Sequence, residues 1–449
     1  MKKSLLALAA LSAIAGAAQA QSSVTVYGVI DEGYIGVTNK LANPTLGTPA
    51  GGVNGVTNSQ SSQFGSGAES TGRLGFKGSE DLGGGLSAFF TYEMKLDPNN
   101  SQIPSQTADE NRQSFVGLKK NGLGNFALGT QYTTIFNAVA ATDPGMVNNM
   151  MGNVIYDKMS GSAVPSMSIT PTTNTYQSGQ NGAYTYSGMQ NNTSFTVRAN
   201  NMLTVTTDTF SGFQGNAMYV MKNQNTNSSQ VTTGQGGYTS GTTNSTAWGL
   251  GANYTWQKLL VTANYQNFTD KSAYALNAAG QYTTGGTVQN GYAGQNGVGT
   301  NDRDNQQYYA ATYDFGILKD YVQYINRKTM DVNNSANYVA RTAQQIGVRS
   351  FVTPTIETWA SVGTGKLTVS NSGGASGIAT NNLAPNATIG SNAANFGAYQ
   401  LGANYWLSKR SNLYAIYGVE RTSNQNYVLN ANPTSFNMSN YAVGVRHTF

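Results

Sequence analysis

Histidine and cysteine, two side chains that many enzymes use for catalysis, are nearly absent from this sequence of 449 residues. It holds one histidine, His447, and no cysteine. A serine or cysteine nucleophile needs a base within hydrogen-bond reach, and zinc sites need clustered histidine, cysteine or carboxylate ligands. His447 stands third from the end of the chain, and no cluster of such ligands surrounds it in the sequence. We therefore expect no enzymatic activity, no metal and no cofactor. The composition still permits a catalytic pair of carboxylates.

Binding of phosphate groups or nucleic acid is not expected either. The glycine run 83–85 could cradle a phosphate only if it led into a helix, and the residues after it alternate in the manner of a strand. The formal net charge is +5, or +3 without Lys2 and Lys3. Nucleic-acid binding favours clustered basic stripes, which a charge of this size does not indicate.

Three charged side chains lie at alternate positions of predicted strands. Arg73 and Lys77 oppose the apolar positions of the stretch 71–77, and Glu93 opposes the apolar positions of the stretch 86–96. Successive side chains of a strand point to opposite faces. An arginine or lysine on a lipid-facing wall costs about 2–4 kcal/mol at the membrane midplane. If these strands cross a membrane, the three charges face a wet interior.

The direction of Arg112 is left open by the same reasoning. Phe115 and Val116 are neighbours and must face apart, yet both suit an apolar face. The alternation in this strand therefore does not decide whether Arg112 points inward or outward.

The end of the chain indicates which kind of wall these strands form. In the stretch 441–449, Tyr441, Val443, Val445 and Phe449 occupy one face, and only His447 interrupts the apolar row. The opposite face carries small or polar residues. A strand of this kind is typical of the lipid-facing wall of an outer-membrane β-barrel.

The start and the composition agree with export to such a membrane. Residues 1–20 have a basic start, a short apolar run and a small-x-small end, which predicts a cleaved signal peptide. Residues 21–449 are then a single barrel domain. Hydrophobic residues make up only 39% of the chain, and the mean hydropathy is −0.35. A barrel with a wet interior needs apolar residues only at alternate outward positions.

Short turns and long polar stretches alternate along the chain. The short turns are 80–85, 120–125, 209–213, 255–258, 314–319, 352–355 and 408–412. The long polar stretches include 38–71, 133–185, 222–246, 269–305 and 366–395. Seven hairpins and one strand at each end predict an all-β, transmembrane, antiparallel barrel of sixteen strands with long extracellular loops. Both termini then lie on the periplasmic side, and the terminal strands can pair.

A barrel of sixteen strands leaves an aqueous channel, which something must narrow if it is to select solutes by size. The longest loop, from residue 133 to about 184, begins with the moderately apolar stretch 135–141. This stretch suits either packing against the inner wall or a surface loop with a helical turn, and the family resemblance given below favours the inward fold of this third loop.

Several blocks resemble the general porins of β-proteobacteria, and together they cover most of the chain. The resemblance is carried by the blocks 23–28, 73–85, 112–118, 124–129, 407–414 and 444–449. The family resemblance implies a homotrimer of sixteen-stranded barrels with an inward-folded third loop, and an assembly machinery that reads the terminal Phe449. It also implies contact with outer-membrane lipid and lipopolysaccharide.

The same resemblance implies a cluster of wall arginines that face the inserted loop. Arg73 and Arg112 match two of its positions, Arg198 matches a third more weakly, and Asp143 resembles an acidic position on the loop. The chain departs from the family at Gln131, where an arginine is common, and in the Met-rich stretch 146–159.

The function expected from these features is that of an outer-membrane porin, a water-filled channel for small hydrophilic solutes and ions. Arg73, Arg112, Arg198 and Lys77 would favour anions in the constriction, and Glu93, Asp143 and Asp157 would offset them, so the sequence leaves the preference open. A substrate-specific channel is the alternative. An adhesin with a plug or passenger domain does not fit, because strands begin directly after the predicted signal.

Overall fold

The computed structural model describes residues 23–43, 55–99, 111–157, 189–191, 193–224, 238–240, 243–276, 283–284, 287–288, 298–332, 335, 338–370, 392–422 and 435–449. The predicted signal peptide 1–20 lies outside these residues, as does the part of the third loop from 158 to 188.

One helix and twenty-one strands make up the described chain. They are β1 (Ser23–Asn43), β2 (Gly55–Ser66), β3 (Arg73–Gly83), β4 (Leu86–Lys95), β5 (Asn111–Lys120), β6 (Gly124–Tyr132), α1 (Thr134–Thr142), β7 (Met189–Asn191), β8 (Thr196–Thr207), β9 (Phe213–Gln224), β10 (Tyr238–Ser240), β11 (Thr243–Trp256), β12 (Leu259–Leu276), β13 (Thr283–Thr284), β14 (Thr287–Val288), β15 (Val298–Asp314), β16 (Lys319–Asp331), β17 (Tyr338–Phe351), β18 (Ile356–Ser370), β19 (Asn392–Trp406), β20 (Ser411–Thr422) and β21 (Ser435–Thr448). The helix has nine residues, and no helix in the described part of the chain has the length and hydropathy of a membrane span.

The strands form one antiparallel wall that closes on itself, because β1 pairs with β21 from Val29↔Thr448 to Ala42↔Ser435. Both β2 and β3 pair with β1, so they are two parts of one wall strand that is interrupted at residues 67–72. The short strands β7 and β10 add pairs at loop ends, and β13 and β14 pair with each other. The barrel therefore has sixteen wall strands, as the sequence predicts.

All seven predicted short turns connect neighbouring wall strands. Between β3 and β4 the turn uses three successive glycines, Gly83, Gly84 and Gly85, with φ of +84°, +60° and +74°. Side chains other than glycine rarely adopt such a run of left-handed conformations. The glycine run is thus a hairpin turn, as its position between two alternating stretches predicts.

The two faces of the wall follow the alternation of the sequence. Tyr441, Val443, Val445 and Phe449 are between 40% and 50% exposed on the outer face, whereas Ala442 between them is fully buried. Polar side chains such as Gln266, Gln306, Gln323, Gln345 and Gln400 are buried on the inner face. Apolar groups thus face the lipid, and amide groups face the interior.

Several strands run further than predicted. β1 reaches Asn43 and β2 begins at Gly55, inside the predicted loop 38–71, and β18 and β19 likewise extend into 366–395. The extensions of β1 and β2 are rich in Ser, Thr and Asn, and they carry no apolar row. Backbone pairing alone continues the ladder there, so hydrophobic alternation gives no indication of it.

Candidate functional site

The first part of the third loop lies on the inner face of the wall. Residues 133–157, called the inner segment below, begin with helix α1, which the Thr133 hydroxyl caps by accepting a hydrogen bond from the Phe136 amide at 3.3 Å. Ile135 and Val139 are fully buried, and the helix contacts β8, β11, β12 and β15. The hydroxyls of Thr142 and Tyr308 are 2.6 Å apart, which ties the end of the helix to β15.

Beyond α1 the inner segment is held by amide side chains of the wall. Asn148 and Gln400 on β19 exchange hydrogen bonds of 2.6 and 3.1 Å, and Gln400 also donates to the Met151 carbonyl at 2.8 Å. Gln345 on β17 accepts from the Val154 amide at 3.1 Å. All these groups are buried, so their donors and acceptors have the partners that burial requires.

Glycines on three wall strands give the inner segment the space it needs. They are Gly347 opposite Pro144, Gly363 opposite Val154, and Gly418 opposite Met151. A β-carbon at Gly418 would lie 1.9 Å from the Met151 carbonyl oxygen, a distance that real side chains do not reach. The wall is therefore shaped to receive the inner segment, and this contact can be tested directly.

Replacing Gly418 with valine is expected to push the Met151 backbone away from β20 and towards the barrel axis. Overpacking of this kind costs about 1–3 kcal/mol, and the narrower passage lowers the single-channel conductance. Gly397→Val is the matched control, because the nearest heavy atom to a β-carbon there is 3.7 Å away. In planar bilayers, Gly397→Val should keep the parent conductance and Gly418→Val should lower it. If both variants keep the parent conductance, the inner segment does not pack on β20.

Opposite the inner segment, the wall is basic. An opening of about 430 Å³, called the constriction below, is lined on the wall side by Arg73, Lys95, Arg112 and Arg198. On the segment side it is lined by Ala140, Met146 and Val147, among others. The three arginines named from the sequence thus lie together. Lys95 joins them and was not among the predicted site residues, although it shares the face of Glu93 on β4.

Glu93 contacts two of these arginines and fixes the positions of their side chains. Its carboxylate is 2.7 Å from Nε of Arg112 and 4.0 Å from a terminal nitrogen of Arg73, and only 2% of the residue is exposed. The Tyr27 hydroxyl donates a third contact to it at 3.0 Å. Arg112 also donates to the Tyr132 hydroxyl at 2.7 Å. The charged heads are therefore held in place, which a fixed charge in a pore requires.

A β-bulge turns Arg112 towards the interior. Glu93 pairs with Gln113 and Met94 pairs with Asn111, so Arg112 is the extra residue of β5. Val116 of the same strand is 59% exposed on the outer face. A bulge reverses the alternation locally. Strict alternation from the outward Val116 would point Arg112 outward as well, and the extra residue turns it inward.

Arg198 reaches the constriction from β8. Its guanidinium carbon lies 5.8 Å from the centre of the Tyr132 ring, and the residue is buried. The Tyr132 ring in turn stacks on Phe136 of α1, with their centres 4.2 Å apart. Tyr132 thus contacts both Arg198 and Arg112, and its stacking on Phe136 joins the basic wall to the inner segment.

Lys77 lies outside the constriction. Its side chain is exposed on the inner face, with Nζ 5.3 Å from the centre of the Tyr27 ring. It stands three residues before Glu80 at the β3–β4 turn, nearer to the periplasmic end than Arg73. Lys77 therefore adds positive charge to the channel wall below the constriction rather than to the constriction itself.

Asp143 also lies elsewhere than predicted. It follows α1 directly, and its carboxylate accepts hydrogen bonds of 2.7 Å from the Val147 amide and from the Asn153 side chain. The residue is 1% exposed and does not line the constriction. Burial raises the pKa of Asp143 to about 6, and these hydrogen bonds and nearby Arg349 oppose the rise. Asp143 thus shapes the turn of the inner segment instead of acting as a counter-charge across the opening.

Three further arginines of the inner wall are paired with carboxylates and were not found from the sequence. The pairs are Arg327–Asp304 at 2.6 Å, Arg341–Asp157 at 3.1 Å and Arg349–Glu357 at 2.6 Å. Two of these arginines also bind the inner segment, since Arg341 donates to the Val154 carbonyl at 2.9 Å and Arg349 to the Pro144 carbonyl at 2.7 Å. Asp157, which the sequence analysis expects to offset the pore charge, is instead paired with Arg341.

The formal charge of the constriction is positive. Four cations line it, and two carboxylates, Glu93 and Asp97, lie against them, the second with its oxygen 3.7 Å from Lys95 Nζ. Over the described residues the sum is +2. Clusters of fixed charge bias the ions that pass a pore.

Contacts that could support catalysis are few in the described part of the chain. The Ser411 hydroxyl lies 2.8 Å from Nδ1 of His447, a neighbour the sequence did not reveal, and both residues are exposed. No carboxylate is hydrogen-bonded to His447 among the described residues, and in those same residues no group of three His, Cys, Asp or Glu could hold a metal ion.

Comparisons with known proteins also indicate a porin of the outer membrane. A family model described as Gram-negative porin matches residues 7–425. An outer membrane porin protein of Bordetella pertussis is 36% identical over 180 residues, covering 37% of this chain and 46% of the relative. Outer membrane porin protein 32 of Delftia acidovorans is 39% identical over 157 residues, covering 32% and 38%. The chain thus aligns with less than half the length of these curated relatives.

Two solved structures resemble the fold over nearly the whole chain. The anion-selective porin from Comamonas acidovorans has a TM-score of 0.57 at 18% identity, covering 96% of this chain and 100% of that one. OmpT of Vibrio cholerae has a TM-score of 0.51 at 14% identity, covering 95% and 98%. At sequence identities of 18% and 14%, the similarity shows the barrel fold alone.

Proposed function

The chain belongs to the Gram-negative porin family and is a β-barrel protein of the outer membrane, and we propose that it forms a water-filled channel for passive diffusion of small hydrophilic solutes and ions. The observation that carries this proposal is the constriction, an opening of about 430 Å³ between the inner segment and a wall of charged side chains. A polar opening inside a closed barrel lets water and small solutes cross without a cofactor or an energy source.

Anions are the favoured ions in this proposal. Arg73, Arg112 and Arg198 supply the positive charge together with Lys95, and Glu93 holds two of them in place. Lys77 extends the basic surface below the constriction. We assign Asp143 to the turn of the inner segment, in line with its burial and its hydrogen bonds.

A liposome swelling assay tests passive diffusion against the alternative, a substrate-specific channel. Proteoliposomes in neutral sugars of increasing size are expected to swell at rates that fall steadily with size and rise linearly with concentration. Saturation of the rate for one sugar, or a rate out of order with its size, would instead favour a specific channel.

The proposal includes a homotrimer embedded in outer-membrane lipid and lipopolysaccharide, built from residues 21–449 after removal of the signal peptide. The support is the family resemblance together with the apolar outer face, where Tyr34 packs against Phe64 and Tyr441 with ring centres 5.8 and 6.2 Å apart. The barrel assembly machinery is the expected partner during insertion.

On a gel, the unheated protein is expected to migrate as an SDS-resistant trimer, and the boiled protein as an unfolded monomer. Closure pairs the backbone of every wall strand and leaves no open edge at which the barrel could unravel, and the family resemblance implies the trimer. The mass of the unheated protein in mild detergent provides the second measurement. Equal mobility with and without boiling, combined with a monomeric mass, would contradict the trimer.

A further inference from the structure

The inner-segment side chains that line the constriction are mostly apolar, although Asn149 also lines it. Met146 is 57% exposed there, and Ala140 and Val147 line the opening beside it. The two acidic residues of the inner segment, Asp143 and Asp157, are both buried. A basic wall therefore faces an apolar ridge, rather than a row of carboxylates, across the described part of the opening.

The ridge is held in a backbone conformation that costs free energy. Met146 and Val147 have φ of +56° and +51°, and a β-branched residue such as valine rarely adopts positive φ. Asp143 stabilises this turn, because its carbonyl accepts from the Met146 amide at 3.1 Å and its carboxylate accepts from the Val147 amide at 2.7 Å. Strain of this kind is found where structure must present a particular side chain, and here it presents Met146 to the opening.

Aromatic carbon continues the apolar side. The stacked rings of Tyr132 and Phe136 line the opening between the arginines and the ridge. Arg112 donates to the Tyr132 hydroxyl at its edge. An anion held by the arginines would thus find apolar surface within the same opening.

We propose that the constriction favours amphipathic organic anions, meaning small monocarboxylates with an aliphatic or aryl body, over hydroxylated carboxylates of the same size and charge. This inference rests on the proposed function, because it concerns the same opening. The carboxylate pairs with Arg73, whose side chain is 25% exposed and lines the opening. The apolar body leaves water against Met146 and Val147, whereas a hydroxylated body would lose hydrogen bonds to water there.

The test measures two carboxylates that share a six-membered ring, cyclohexanecarboxylate and its polyhydroxylated analogue quinate. Their relative permeability is obtained from bi-ionic reversal potentials in planar bilayers and is corrected for mobility in free solution. The variant Met146→Asn/Val147→Asn makes the ridge polar, and asparagine tolerates positive φ, so the turn is retained. The control Met146→Leu keeps the ridge apolar.

In the asparagine variant, the permeability ratio of cyclohexanecarboxylate to quinate is expected to fall about threefold, as the loss of one partly buried apolar contact implies. The leucine variant should keep the parent ratio. An unchanged ratio in the asparagine variant, in a channel that still prefers chloride to potassium, overturns this inference alone. If the parent channel does not prefer chloride, the assignment of a positively charged constriction is wrong, and this inference fails with it.

Discussion

Replacing Arg73 and Arg112 together with glutamine is expected to remove most of the anion preference of the channel. The described residues of the constriction include four cations and two carboxylates, so the double variant brings their formal charge from +2 to zero. The chloride-to-potassium permeability ratio should then approach one. The effect should be larger at 0.01 M salt, where the Debye length is about 30 Å, than at 1 M, where it is about 3 Å. Conductance at high salt should change little, because the wall and the inner segment set the width.

Two further variants separate charge from structure in this experiment. Adding Glu93→Gln removes the carboxylate that Arg112 leaves unpaired, and it should restore part of the anion preference. Lys409→Gln/Arg410→Gln removes two exposed charges from the β19–β20 turn and should leave the reversal potential as in the parent. If the Arg73 and Arg112 double variant also keeps the parent value at low salt, these arginines have a structural role only.

Deletion of Phe449 is expected to lower the amount of protein in the outer membrane several-fold. Phe449 forms the last backbone pair between the chain end and β1, with hydrogen bonds of 3.1 and 3.2 Å to Gly28. Each such bond contributes about 0.5–1.5 kcal/mol, and losses of this size change cellular protein levels several-fold. The Phe449 ring also covers Gly28, where a β-carbon would lie 2.2 Å from the ring. Quantifying the heat-modifiable band in outer-membrane fractions measures the effect.

Two comparisons show whether the assembly machinery reads this residue. Phe449→Tyr keeps an aromatic end and should keep the parent level. Refolding of the deletion variant into detergent measures the barrel without the machinery. Normal refolding with a low cellular level indicates recognition of Phe449, and poor refolding indicates loss of barrel closure. A deletion variant that reaches the parent level in the outer membrane would contradict both roles.

The strands of the barrel wall could be predicted because apolar and polar residues alternate along the sequence of each strand. Tyr441, Val443 and Val445 face lipid because every second position faces the same way, and the glycine run 83–85 fixes a turn that few other residues could form. The polar ends of β1 and β2 escaped prediction because Ser, Thr and Asn pair through their backbone without an apolar face.

The candidate site was predicted less completely because it depends on contacts between distant parts of the chain. A single extra residue in β5 directs Arg112 inward, and no local pattern marks it. Asp143 was expected in the opening, but its carboxylate satisfies the donors of its own turn. The pairs of Arg327, Arg341 and Arg349 join different strands or join the wall to the inner segment, so they become visible only in the folded barrel.

The reversal potential of the unmodified channel in a potassium chloride gradient tests the central claim most directly. The protein is reconstituted into a planar bilayer at low salt, with no cofactor and no energy source, and the current is recorded at zero and at applied voltage. A positive constriction in a passive pore predicts a steady open conductance and a reversal potential of the sign set by chloride. A reversal potential of the sign set by potassium, or the absence of any open conductance, would contradict the account.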